Sequence, residues 1–213
     1  MVKRKFKQSF DIFSWLKKKR KRAKTARRFW LAFVALPVLF ILAVFLLLYP
    51  FLPGISFRLG LVGKSDDAAF TLESLKRKKD ISQENILVIP KIDVNIKIVE
   101  GETQEALDQG AWRMPTTSTP DKGGNTVISA HRFKYLPPNN ATFYLLDKLS
   151  RGDRLFVYWQ GKEYEYVVVE SKVVEPTEIS ILDNTPDNRL TLFTCTPLFT
   201  TDKRLVVIGA LTK

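Results

Sequence analysis

One cysteine and one histidine in 213 residues, Cys195 and His131, exclude a good deal at once. A disulfide within the chain needs two thiols, and a zinc site built from Cys and His needs several ligands, so neither can form inside this chain. Repeats of solenoid length are absent, which removes stacked-repeat architectures. Acidic charge is scarce at the front: residues 1–80 carry 5 Asp and Glu against 19 Lys and Arg, whereas residues 81–213 carry 17 against 15. The formal charge of +12 therefore describes the first 80 residues and not the stretch long enough to fold around a core. A basic nucleic-acid-binding domain is excluded for 81–213, and any such role would rest on 1–28 alone.

What is present begins with a basic tail, 1–28, holding 13 Lys and Arg and a single acid, Asp11. Residues 29–49 follow without a charge. As a helix they would extend about 30 Å, the thickness of a bilayer core. Phe29, Trp30 and Tyr49 stand at the ends, where interfacial rings are favoured, and Pro37 would kink the span without preventing insertion. Thirteen basic residues before the span and only Arg58 and Lys64 in the twenty after it set the direction: tail in the cytoplasm, the rest outside. The apolar run is longer than a leader's core and no small-x-small cleavage site follows it, which favours a retained single-pass anchor in the cell membrane over a cleaved leader. Pro50 and Pro53-Gly54 predict a helix break at the outer interface. Residues 50–80 are expected to form an extracellular linker with a short helix over 65–79 capped by Ser65.

From residue 81 the composition turns to strand formers. The run 86–99 predicts two strands separated by Pro90, and 102–109 a helical turn or two with Thr103 as cap and Gly110 as terminator. Residues 115–124 are loop by local signals, leading into a strand over 125–131 that ends on His131. Strands over 154–159 and 162–174 are joined at Gln160-Gly161 as a hairpin, and 175–188 is loop. Strands over 190–194 and 204–208 close the chain. Seven or eight short strands with little helix in about 130 residues predict a mostly β fold, a closed or partly closed antiparallel-rich barrel preceded by one transmembrane helix. The expected division is tail 1–28, span 29–49, linker 50–80 and barrel 81–213.

The last strand pair carries the chemistry-bearing residues. Leu190, Leu192 and Thr194 share one face, Thr191 and Phe193 the other, and Cys195 leaves the strand between Thr194 and Thr196-Pro197. A thiol is an effective nucleophile when a base can take its proton, and imidazole is the common partner. Arg204 opens the opposite strand, where a guanidinium could hold substrate carbonyls or an oxyanion. Each residue also has an ordinary reading: a buried cysteine, a satisfied histidine, a solvated edge arginine. Spacing leaves both readings open.

Gly-Asn-Thr-Val-Ile-Ser-Ala-His-Arg ending at Arg132, Thr-Leu-Phe-Thr-Cys ending at Cys195, and Lys-Arg-Leu-Val-Val-Ile-Gly ending at Gly209 resemble the three signature elements of sortases, the cysteine transpeptidases that anchor proteins to bacterial cell walls. The histidine lies 64 residues before the cysteine and the arginine nine after it. Trp112 to Pro115 and Thr119 to Gly124 look similar to sortase sequence as well, and the likeness runs over about 84–211. The resemblance implies a sortase-like barrel in which Cys195 attacks the Thr-Gly bond of a Leu-Pro-x-Thr-Gly-like sorting signal on secreted proteins. It implies that His131 serves as acid and base and that Arg204 holds the substrate backbone and oxyanion. A thioacyl intermediate would then pass to an amine of a cell-wall precursor or pilin, with water as competing acceptor. Thr194, Thr196 and Pro197 are the candidate substrate-binding residues, and Ala130 contributes only packing. Short connections, with no second apolar span and no aspartate-aromatic lid, resemble housekeeping or class D and E-like members more than pilus-polymerising ones. No cofactor and no metal are expected, and the partners are sorting-signal proteins, the acceptor amine and the lipid bilayer, not nucleic acid. The rival readings are a cysteine peptidase of the same fold acting mainly by hydrolysis and a non-catalytic barrel that binds envelope peptides.

Overall fold

The computed structural model describes residue 30 and residues 33–61, 84–134 and 141–212. The chain divides into two units, Met1–Leu48 and Tyr49–Lys213. In the first, the described residues are helical and exposed throughout. Phe33–Arg58 is the one helix among the described residues that is long and apolar enough to cross a membrane. An exposed apolar surface of this length has no partner in water, and its character is that of a single-pass anchor carrying an extracytoplasmic barrel. The expected break at Pro50 is only a tightening: Tyr49–Phe51 is a 3-10 turn, after which Leu52–Arg58 is α-helical with Pro53 in its first turn. A proline is tolerated there because the missing N–H has no intrahelical acceptor. The helix expected over 65–79 lies outside the described residues.

Eight strands form a closed barrel in the order β1-β2-β3-β4-β7-β8-β6-β5. They are β1 (Ile86–Ile89), β2 (Val94–Glu100), β3 (Ala111–Arg113), β4 (Asn125–Ser129), β5 (Arg154–Trp159), β6 (Lys162–Val174), β7 (Arg189–Thr196) and β8 (Lys203–Leu211). Most neighbours are antiparallel, but β2 with β3 and β4 with β7 run parallel. Closure leaves no free edge for another chain to pair with. Period-two alternation sends Leu87, Ile89, Ile96, Ile98, Leu155, Val157, Leu190, Leu192, Leu205 and Val207 into one shared core. At roughly 1.5–3 kcal/mol for each fully buried large aliphatic side chain, this interior is the main source of the barrel's stability.

The connections explain how the strands reach their places. Pro90–Ile92 forms a 3-10 turn between β1 and β2, where the proline needs no ladder partner. Gln160 and Gly161 both take positive φ, 49° and 76°, the backbone twist a two-residue hairpin requires between β5 and β6. Gln104–Asp108 is a 3-10 turn; Thr103 stands at its N-terminus but gives no side-chain cap. Gly110 then lets the chain pass against β2, since a Cβ there would lie 2.4 Å from the Lys97 carbonyl oxygen. The expected loop 175–188 contains one further 3-10 turn, Ile179–Leu182. Asn125, buried on β4, holds that segment: its Nδ2 donates to the Ile181 and Asp183 carbonyls at 3.0 and 2.9 Å, and its Oδ1 accepts from Thr191 at 2.7 Å.

Candidate active site

The parallel pairing of β4 with β7 aligns Ser129 with Phe193, the last of five partnered positions. The Ala130 amide still donates to the Phe193 carbonyl, at 3.4 Å, and the buried Thr194 hydroxyl donates to the Ala130 carbonyl at 2.8 Å. The residues that follow this tie are His131 in one segment and Cys195 in the other. The strand predicted to end on His131 in fact ends at Ser129, so the imidazole rises from the loop that follows. On the other side of β7, Cys195 is the direct antiparallel partner of Arg204. Leu192 and Leu205 belong to the interior, so alternation along β7 and β8 turns Cys195 and Arg204 away from it. The thiol and the arginine are thus register partners across β7 and β8, and the histidine follows the end of β4.

Each of the three has a defined setting. Cys195 is a free thiol, half-buried. The His131 ring is one-third exposed, with Nε2 3.1 Å from Asp108 Oδ1. Arg204 is turned back on its own loop, with Nη1 donating to the carbonyls of Thr201 at 2.9 Å and Lys203 at 3.1 Å. Of the residues expected to line a groove, Thr194 is buried beneath the site as a tie between strands, Thr196 is half-buried and Pro197 is exposed. The Thr196-Pro197 peptide is cis.

Two contributors were not legible in the sequence. Asp108, in the turn before β3, meets both His131 and Lys134. The hydrogen bond from Lys134, and after it that with His131, holds its carboxyl below the ordinary aspartate value. Arg132 directly follows the histidine, and its guanidinium is nearly buried. Its Nη1 donates to Thr196 Oγ1 at 2.8 Å and reaches the Cys195 carbonyl at 3.5 Å, while Nη2 pairs with Asp147 at 3.0 Å. The adjacency of Arg132 to His131 was a signal available in sequence; its fixation of the end of β7 was not. Asp108 carried no local signal, because its contact spans 23 residues.

A half-buried thiol whose partner on the adjoining strand is an arginine combines a candidate nucleophile with a cation that an oxyanion could meet. Residues 87–212 match the Sortase family, described as the sortase domain. Sortase A of Listeria monocytogenes is 33% identical over 127 residues, which cover 60% of this chain and 55% of that protein. Sortase SrtE1 of Streptomyces coelicolor is 34% identical over 140 residues, 58% of this chain and 39% of that one. These matches span about half the length of the relatives or less. Among solved structures, the one titled Sortase C1 of GBS Pilus Island 1 superposes with a TM-score of 0.55 at 32% identity, over 62% of this chain and 65% of that one.

Proposed function

The chain belongs to the sortase family, and from that premise we propose that it is a membrane-anchored cysteine transpeptidase acting on Leu-Pro-x-Thr-Gly-like sorting signals of secreted proteins. The observations that support this reading most directly are the pairing of Cys195 with Arg204 across β7 and β8 and the Thr194–Ala130 tie one residue before Cys195 and His131. The Cys195 thiolate attacks the carbonyl of the scissile Thr-Gly bond, and the oxyanion that forms is met by Arg204. For this the guanidinium leaves the Thr201 and Lys203 carbonyls, an exchange that spends the binding energy of the substrate at the reacting centre. His131 protonates the departing glycine amine, leaving a thioester on Cys195. It later takes a proton from the incoming amine of a cell-wall precursor or pilin as the acyl group moves on.

Thr196 and Pro197 border the peptide groove, and Thr194 supports it from beneath. We read the short connections between strands as those of a class D or E member rather than of a lid-bearing one. The test is the mass of the full chain after incubation with a sorting-signal peptide. A Cys195-linked acyl adduct is expected, released as an amide when an amine is added and absent from Cys195→Ala protein. Folded protein that forms no adduct across varied sorting peptides would refute transpeptidation. An adduct released only as free acid would assign hydrolysis instead.

A further inference from the structure

A cavity of about 330 Å³ lies between the helical segment Leu52–Arg58 and the barrel, behind the end of β7. Its walls are of two kinds. Phe51, Ile55 and Leu198 supply apolar surface, while Arg58, Arg132 and Lys148 supply three cations against one carboxylate, Asp147. Asp147 is already engaged by Arg132 at 3.0 Å and by Lys148 at 2.6 Å. Arg58 makes no ion pair among the described residues. Arg132 is the telling member: its side chain is only 10% exposed, and its Nε is a buried donor without an acceptor. A buried guanidinium N–H left unpaired costs free energy that a bound anion would recover.

We propose that this cavity is a binding site for the phosphate headgroup of an anionic amphiphile. The phosphate oxygens accept from Arg132 Nε, Arg58 and Lys148, for which a multidentate oxyanion is the matching shape. The apolar lining receives the first carbons beyond the headgroup. A lipid source follows from the wall itself, because Phe51, Ile55 and Arg58 belong to the apolar helix Phe33–Arg58, which is long enough to cross a bilayer. A cavity of this size holds a headgroup and little more. Through Arg132 the occupant is one residue's hydrogen bonds away from Thr196 and the Cys195 carbonyl.

The experiment is calorimetric titration of the full chain, in an uncharged detergent, with dihexanoyl phosphatidylglycerol, inorganic phosphate and dihexanoylglycerol. Saturable binding of the phospholipid is expected, weakened about tenfold in Arg58→Gln and in Lys148→Gln, as loss of a charge-assisted hydrogen bond requires. Lys172→Gln, a surface charge on β6 away from the cavity, should leave affinity unchanged. Inorganic phosphate binding as tightly as the lipid, and lost in Arg58→Gln, would uphold the anion site and assign it to the soluble ion. No saturable binding of either phosphate, equal affinity in wild type and both cavity variants, or equal affinity for dihexanoylglycerol would overturn the proposal. Cys195→Ala protein should bind like wild type, so the outcome is independent of the thiol chemistry.

Discussion

Thr194→Val removes one hydroxyl hydrogen bond and nothing else of comparable size. Thr194 is 1% exposed, and its Oγ1 donates to the Ala130 carbonyl at 2.8 Å, tying β7 to β4 one residue before Cys195 and His131. Valine keeps the branched shape but leaves that carbonyl facing a methyl group. An unsatisfied buried acceptor costs about 1–3 kcal/mol. The gain from burying the added methyl, about 0.8 kcal/mol, offsets part of it. The net loss is then about 0.2–2 kcal/mol, and at about 2–4 °C per kcal/mol for a chain of this length the unfolding midpoint should fall by up to roughly 8 °C. Thr194→Ser restores the donor and should recover most of that loss. The assay is thermal unfolding in detergent beside the rate of acyl-adduct formation at a temperature where all three proteins are folded. The valine variant should form adduct more slowly and the serine variant at close to the wild-type rate. A valine protein as stable as wild type would refute the assignment of the hydroxyl as a strand tie. Normal adduct formation in a destabilised valine variant would show that the tie does not set the spacing of His131 and Cys195.

Asn125→Ala removes three hydrogen bonds, one buried and two part-buried, linking β4, β7 and the segment 181–183, so it should cost about 2–4 kcal/mol in urea unfolding and speed proteolytic cutting of that segment. Because the folded-state carboxyl of Asp108 titrates below its unfolded value, its contribution is fully present above the ordinary aspartate pKa, near 4, and is lost as pH falls through the lower folded value. Carboxyl-carbon NMR of Asp108 should therefore show a midpoint below that of free aspartate, moving upward in Lys134→Met; a midpoint at or above that of free aspartate would contradict the Lys134 and His131 contacts. Arg204→Lys keeps the charge but loses the planar fork, and adduct formation should fall by about tenfold or more in kcat/KM, with Arg204→Ala lower still. Equal rates in all three would remove Arg204 from the chemistry.

The barrel was legible because its strands carry period-two alternation and because turn chemistry marks their ends, as at Gln160-Gly161 and Pro90. Strand β3 escaped, being three residues long with no room for a period to show. The parallel pairings escaped too: alternation fixes which face is buried but is blind to which strand lies alongside. A thiol and an imidazole could be singled out from sequence because the chain has one of each. That the segments carrying them are neighbours is a property of the β4–β7 register, and the Asp108 and Arg132 contacts there join segments 23 to 64 residues apart. Local chemistry set the anchor, the strands and the candidate nucleophile, since each depends on neighbouring residues. Tertiary structure alone decided what surrounds Cys195, because closure of the barrel brings those distant segments together.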